Sequence, residues 1–352
     1  MTTPRIDTLT EFLETGGLAP RFYDMGRRIR AWPREVFLDF ERTETPYPQP
    51  LQQQAWLALT LQTGADPQIW FLRFPLDEQG KLLQAARDDF LFQLMERLGS
   101  AAMEKGAQPE QMESAIEQSP YAFQPKKERL AAFHARLTVE LEQPPSRYYE
   151  HAQRYFSGEL GWDQWSFIGY QGIADIAARH AEGRNEHCLA TAIPHLPATP
   201  LEALCHLLEN ESIPDTLAQE LLNRAQDTLA SANPDPQVIT AVLRGVSRCV
   251  SRELRKTLLS EVLHHPMAQR SDVLAAIAGR LWLDLDDASL RSQFLEQLAA
   301  NDQGQGFFDQ LLSDLLYLAD CRPGLLESLR NPNRSDRLSE AIGAFFSRIK
   351  GA

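Results

Sequence analysis

Apolar residues recur along the second half of the chain at a fixed step of 35 residues. The step separates Leu207, Val242, Ile277 and Leu312. Each of these residues lies in a segment whose apolar positions have helical spacing, and a second apolar segment follows after a turn. Two helices per repeat predict stacked pairs that bury their apolar faces against neighbouring pairs, as in an α-solenoid. Because the tetratricopeptide signature is absent, the pattern favours a HEAT-like repeat; a bundle of unrelated helical hairpins is the alternative.

The first forty residues combine helix and strand patterns. Thr8 and Glu11 have the spacing of a capping box, which predicts a short first helix. The bend at Met25-Gly26 separates two short extended segments, and Pro33 begins a second helix.

A hairpin and a further helix follow. Residues 55–61 and 68–74 are rich in aromatic and large apolar residues, which predicts two strands around a turn at 63–67. Apolar residues at helical spacing predict a helix over 82–98. Together these elements predict a small N-terminal α+β domain.

Three parts are expected in a mainly α fold: the α+β domain over 1–98, a helical connector over 99–146 and the HEAT-like solenoid over 147–350. The last part opens with an unusually aromatic segment, whose rings indicate either a buried seam or an exposed groove for a partner. Its aromatic residues are Tyr148, Tyr149, Tyr155, Phe156, Trp162, Trp165, Phe167 and Tyr170.

Composition narrows the functional classes. The chain has 35 Lys and Arg against 48 Asp and Glu, a formal net charge of −13, and both halves are acidic. Since nucleic-acid affinity comes mostly from neutralised phosphates, nucleic acid is an improbable general partner. Four cysteines without a C-x-x-C pair indicate reduced thiols. With neither a signal-peptide pattern nor a run of eighteen apolar residues, we expect a cytoplasmic protein that does not enter the membrane.

Five short segments resemble a known family when taken together. They are 24–29, 48–51, 55–58, 70–80 and 170–175, of which the segment that begins Trp70-Phe71-Leu72-Arg73-Phe74 is the most specific. Over essentially its whole length the chain resembles a bacterial family of similar length that is known only as a domain of unknown function. The resemblance implies a shared architecture and a bacterial origin, but no activity, cofactor or catalytic residue.

The glycine bend is the first candidate contact site. Tyr23, Asp24, Arg27 and Arg28 surround Gly26, and two arginine forks at a bend can hold a phosphate or carboxylate. The alternative is a structural turn in which Asp24 pairs with one of the two arginines.

A basic cluster in the acidic second half is the second candidate. It consists of Arg244, Arg248, Arg252, Arg255 and Lys256. On one continuous helix these side chains would form a ridge for an acidic peptide, a phosphate or a nucleic-acid backbone, although 249–251 is a candidate turn. The alternative is a solvated stripe paired with Glu253 and Glu261.

Motifs for metal binding and catalysis are weak. Five potential metal ligands fall close together, but without the paired spacing that zinc sites use. They are His187, Cys188, His195, Cys205 and His206. Neither a phosphate-binding glycine motif nor a nucleophile motif occurs, and neighbouring carboxylates such as Asp88 and Asp89 fit exposed helix faces. We therefore predict no metal, no cofactor and no catalytic residue, which leaves enzymatic activity uncertain but disfavoured.

These patterns favour a non-enzymatic cytoplasmic scaffold that binds a protein partner through its helical-repeat surface. One alternative is an enzyme or small-ligand sensor with a pocket between the two domains, lined by the residues of the glycine bend together with Trp162 and Trp165. A second alternative is a nucleic-acid-binding helical repeat, which depends on the basic cluster alone.

Overall fold

A computed structural model gives the fold of the chain. The residues that it describes fall into three ranges, 7–62, 67–98 and 114–351. Most of the turn predicted between the hairpin strands, 63–66, and the first part of the predicted connector, 99–113, lie outside these ranges.

The chain divides into two compact units, Met1–Lys126 and Lys127–Ala352. It is mainly helical, and the first unit holds a small four-stranded antiparallel sheet. The predicted coarse class, a mainly α chain with a small N-terminal α+β part, is confirmed. The helix over Lys127–Glu140, which the sequence pattern assigns to the connector, belongs to the second unit.

In the first unit, helices precede, separate and follow two pairs of consecutive strands. They are α1 (Leu9–Thr15), β1 (Pro20–Asp24), β2 (Arg30–Trp32), α2 (Arg34–Glu41), β3 (Gln54–Leu61), β4 (Gln68–Pro75) and α3 (Gln84–Leu98). The sheet has the order β2-β1-β3-β4, and every neighbouring pair is antiparallel. The two extended segments around the glycine bend and the predicted hairpin are therefore strands of one sheet.

Local sequence signals explain where these elements begin. The Thr8 hydroxyl accepts a hydrogen bond from the Glu11 backbone N–H at 3.1 Å, so the predicted cap of α1 is confirmed. Pro33 directly precedes α2. The helix then packs on the sheet, since the rings of Phe22 and Phe37 stack with centroids 3.7 Å apart.

The second unit consists of helices joined by short turns. They are α4 (Lys127–Glu140), α5 (Tyr149–Phe156), α6 (Tyr170–Ala178), α7 (Asn185–Ala192), α8 (Ala198–Leu208), α9 (Asp215–Leu229), α10 (Pro236–Gly245), α11 (Arg252–His264), α12 (Ser271–Arg280), α13 (Ala288–Ala299), α14 (Gln305–Leu316), α15 (Arg322–Arg330) and α16 (Asp336–Gly351). Each helix from α4 to α14 packs against the helix two places further along the chain, so even-numbered helices contact even-numbered ones and odd-numbered helices contact odd-numbered ones.

The residues at the 35-residue step occupy equivalent places in this arrangement. Leu207, Val242, Ile277 and Leu312 are all buried, and they lie on α8, α10, α12 and α14. The sequence period thus reflects one row of core positions along the even-numbered helices.

Gly245, at the end of α10, packs closely against residues of α8 and α9. A β-carbon built on Gly245 would lie 2.8 Å from Cys205 Sγ and 3.1 Å from Leu221 Cδ1. Because both neighbours are buried in the core, we expect Gly245→Ala to lower the free energy of unfolding by about 1–3 kcal/mol. Urea unfolding followed by circular dichroism measures this loss.

Gly279, near the end of α12, provides the matched control. A β-carbon there would meet no atom within 4 Å. Alanine has the higher helix propensity, so Gly279→Ala should raise stability by about 0.5 kcal/mol. Equal losses in the two variants would contradict the assigned close approach at Gly245.

Candidate functional site

The glycine bend of the first unit is held by hydrogen bonds. The Gly26 backbone N–H donates to Asp24 Oδ1 at 2.7 Å, and the Tyr47 hydroxyl donates to the same oxygen. The Tyr47 oxygen also lies 3.0 Å from the Trp56 carbonyl. Asp24 therefore fixes the turn that connects β1 to β2.

The four predicted contact residues of the bend differ in solvent exposure. The side chains of Tyr23, Asp24 and Arg27 are buried, whereas Arg28 is half-buried. Arg27 Nε donates to the Pro50 carbonyl at 2.9 Å, which ties the bend to the segment before β3. For three of the four residues the observed environment is that of a structural turn.

The two predicted tryptophans have different environments within a short 3-10 segment, Trp162–Phe167. The Trp162 ring stacks on His195 with centroids 5.6 Å apart, and it meets the Tyr155 ring edge-on at 5.9 Å. Trp165 is 38% exposed. Trp162 is thus a packing residue, whereas Trp165 presents an aromatic surface.

Two further exposed rings belong to the same region. Phe167 is 74% exposed, and Tyr148 is also exposed, with the Arg147 guanidinium 4.9 Å from its ring centroid. A β-carbon on Gly169, two residues after Phe167, would lie 3.2 Å from the Tyr148 ring, so the two segments are neighbours. We call Tyr148, Trp165 and Phe167 the aromatic surface.

The predicted basic cluster does not lie on one helix. Helix α10 ends at Gly245, a 3-10 turn covers Val246–Arg248, and α11 begins at Arg252 with Ser251 as its cap. The condition for an arginine ridge, one continuous helix, is therefore not met, because the candidate turn at 249–251 lies between the second and third arginine.

Acidic residues of the turn before α13 pair with the C-terminal half of the basic cluster. Arg255 donates to Asp284 through Nε at 2.9 Å and Nη2 at 3.0 Å, Arg252 pairs with Asp286, and Lys256 lies 2.9 Å from Asp287. The expected partners Glu253 and Glu261 do not supply these contacts. Arg248 donates instead to the Asn210 carbonyl at 2.5 Å.

Arg244 belongs to a buried ionic group that joins three even-numbered helices. Glu209 directly follows α8 and is buried; its Oε2 lies 2.7 Å from Arg244 Nε on α10 and 2.7 Å from Arg280 Nε on α12. Arg280 Nη2 also donates to Glu209 Oε1 at 2.9 Å. We call Glu209, Arg244 and Arg280 the Glu209 cluster.

The electrostatics of the Glu209 cluster keep the Glu209 carboxyl ionised. Burial opposes ionisation of Glu209, but the positive charges of Arg280 and Arg244 outweigh it and hold the pKa of the carboxyl at about 2. Burial raises the pKa of the neighbouring Cys205 thiol, and burial together with Arg244 lowers the pKa of His206. At neutral pH the carboxylate is a weak base and the thiol is protonated, so neither suits acid–base or nucleophilic chemistry.

Sequence reasoning identified Arg244 but missed Glu209 and Arg280. The 35-residue period could have identified them. The three residues are 35 and 36 positions apart, and they lie on or directly after successive even-numbered helices. The same step joins Glu202 to Gln237, whose side chains hydrogen-bond.

The five potential metal ligands do not converge. His195 stacks on Trp162, Cys205 is buried next to Gly245, and His206 Nε2 lies 3.8 Å from Glu202. Within the ranges that the structure describes, no group of three or more His, Cys, Asp or Glu side chains is placed to hold a metal ion.

An open groove lies between α5 and α7 in the second unit. Its volume is about 260 Å³. The lining residues are Gln153, Arg154, Ser157, Arg184, His187, Cys188 and Thr191. We call it the α5–α7 groove; two of its residues, His187 and Cys188, are among the five potential metal ligands.

The fold and these sites define a mainly helical protein with a small N-terminal antiparallel sheet. A family model described as "Protein of unknown function (DUF3549)" matches residues 4–346, and the chain belongs to this family. The predicted resemblance is thereby confirmed over essentially the whole chain. Comparisons with curated proteins and with solved structures find no match. No helix among the described residues is long and apolar enough to cross a membrane.

Proposed function

We propose that the chain is a non-enzymatic cytoplasmic interaction protein whose second unit is a HEAT-like α-solenoid that binds a protein partner. Two features support the repeat architecture. Every helix from α4 to α14 packs against the one two places ahead, and core residues recur at the 35-residue step. A solenoid built this way presents long helical surfaces to a partner.

The aromatic surface is the observation that carries the proposal. Large aromatic side chains dominate the energetics of protein interfaces, and an exposed cluster of them is costly unless a partner covers it. Phe167 and Trp165 are exposed although neighbouring aromatic residues such as Tyr155 and Phe156 are fully buried. We therefore assign Tyr148, Trp165 and Phe167 to the contact with the partner.

The ion pairs within the basic cluster favour a protein partner over nucleic acid. Arg252, Arg255 and Lys256 are already paired with Asp286, Asp284 and Asp287. Phosphate binding would have to compete with these ion pairs in a chain of net charge −13.

Site-specific photo-crosslinking tests the proposal. A photoreactive phenylalanine analogue placed at Phe167 should give one discrete protein adduct in cells that naturally produce the chain. The control position is Val250, which is 73% exposed against 74% for Phe167 and lies in the same unit. Adducts that are absent at position 167, or equally diffuse at both positions, would refute the assigned contact surface.

Removing the rings of Trp165 and Phe167 should weaken binding without affecting folding. We expect the double variant Trp165→Ala, Phe167→Ala to lose at least tenfold in affinity for the crosslinked partner, since truncating a single aromatic hot spot costs about 2 kcal/mol or more. Thermal unfolding should change little because both side chains are exposed. Unchanged partner binding in a folded double variant would contradict the prediction.

A further inference from the structure

We propose that the α5–α7 groove holds an acidic segment of the protein partner. The inference rests on the proposed function and adds the chemistry by which the partner is recognised. The lining of the groove differs in charge from the rest of this acidic chain.

The lining contains two arginines, one histidine and no acidic residue. Across the chain, acidic residues outnumber basic ones by 48 to 35. A set of seven residues taken at random would hold about one acid, so the groove is a locally basic surface on an acidic protein. Charge complementarity of this kind directs an acidic partner to one place and repels it elsewhere.

The arginine and histidine side chains of the groove retain donors for a ligand. The side chains of Arg184 and His187 make no hydrogen bond or ion pair with any residue in the described ranges. Arg154 donates from Nε and Nη2 to the same oxygen of Glu159, at 2.9 and 2.7 Å, which leaves its Nη1 edge. A partner carboxylate can therefore bind the arginine forks.

The hydroxyl groups of the lining already donate to backbone carbonyls. Ser157 Oγ already donates to the Arg154 carbonyl at 2.9 Å, and Thr191 Oγ1 donates to the His187 carbonyl at 2.9 Å. Their hydroxyls are thus not spare donors for phosphate oxygens. The volume of about 260 Å³ is below the usual range for small-molecule pockets, but it accommodates side chains of an extended segment.

The groove also adjoins the turn that carries the aromatic surface. Gly158 follows Ser157 of the groove, and a β-carbon on Gly158 would lie 3.1 Å from the Trp162 indole. The 3-10 segment Trp162–Phe167 therefore begins at the edge of the groove. A partner that covers Trp165 can extend its acidic residues toward Arg154 and Arg184.

Peptide selection tests this inference. Random dodecapeptides displayed on phage are selected on the intact chain, and the enriched peptides are then synthesised with a fluorescein label for polarisation measurements. We expect enrichment in Asp and Glu next to apolar residues, and binding that weakens as salt is raised. The double variant Arg154→Glu, Arg184→Glu should weaken binding at least tenfold.

The matched control is the double variant Arg330→Glu, Arg337→Glu, which makes the same charge change at exposed positions in the same unit. It should bind the peptides within twofold of the original chain. Enriched peptides without acidic bias, peptides that bind the groove variant normally, or a selection that yields no saturable binder would each overturn the inference. The proposed function is judged separately, by the photo-crosslink at Phe167.

Discussion

Replacing Glu209 with glutamine should lower the free energy of unfolding by about 3–5 kcal/mol, the usual cost of removing one partner from a buried ion pair. The carboxylate contacts Arg244 at 2.7 Å and Arg280 at 2.7 and 2.9 Å, and both arginines are mostly buried. Without the negative charge, two guanidinium groups repel each other within the packed even-numbered helices. Guanidinium chloride unfolding followed by circular dichroism measures the loss.

Two control variants separate the buried cluster from a general charge effect. Glu253→Gln removes one negative charge from an exposed position on α11 and should change stability by less than 0.5 kcal/mol. Arg244→Gln should cost much less when added to Glu209→Gln than when made alone, because the two residues interact directly. Additive losses, or a loss below 1 kcal/mol for Glu209→Gln, would show that the cluster contributes little.

Ionisation of Glu209 also makes the free energy of unfolding depend on pH in the acid range. The pKa of Glu209 is lowered from 4.5 to about 2 in the folded chain, so its stabilisation is present above pH 4.5 and is lost as the pH falls through 2. The shift corresponds to about 3 kcal/mol. The stability difference between the original chain and Glu209→Gln should therefore shrink between pH 4.5 and 2.

The packing of the even-numbered helices on one another accounts for the 35-residue period of the sequence. Leu207, Val242, Ile277 and Leu312 must be apolar because each fills the same place between successive even-numbered helices, and such a constraint leaves a period in the sequence. Strand signals were equally direct, since the glycine bend and the hairpin connect neighbours in the sheet.

Charge pairing was harder to predict because it depends on which turns meet. Arg255 finds Asp284, 29 residues away, only because α11 packs on α13 and on the turn before it. Burial of Arg27 was equally hidden, since arginine is usually exposed and its contact with the Pro50 carbonyl joins residues 23 positions apart. The α5–α7 groove has no linear signature, because its lining comes from two separate helices.

Glu41, in the first unit, should also have a large effect on the free energy of unfolding. Its pH dependence has the opposite sign to that of Glu209. Its buried carboxylate caps α1: it accepts hydrogen bonds from the backbone N–H groups of Leu9 at 2.9 Å and Thr10 at 3.1 Å, and from the Thr10 hydroxyl. Burial raises the pKa of Glu41 from 4.5 to about 7, although these hydrogen bonds oppose the shift. The folded chain therefore holds a proton on Glu41 that the unfolded chain releases.

We expect the stability contributed by Glu41 to be fully present below pH 4.5 and to be lost as the pH rises through 7, a change of about 3 kcal/mol. Glu41→Gln stays neutral at every pH, so its unfolding free energy, measured in urea between pH 5 and 8, should lack this decline. Glu44→Gln, at an exposed position nearby, should keep it. This window does not overlap that of Glu209, which titrates below pH 4.5. Parallel pH profiles for the original chain and Glu41→Gln would show that the buried carboxyl titrates near its ordinary value.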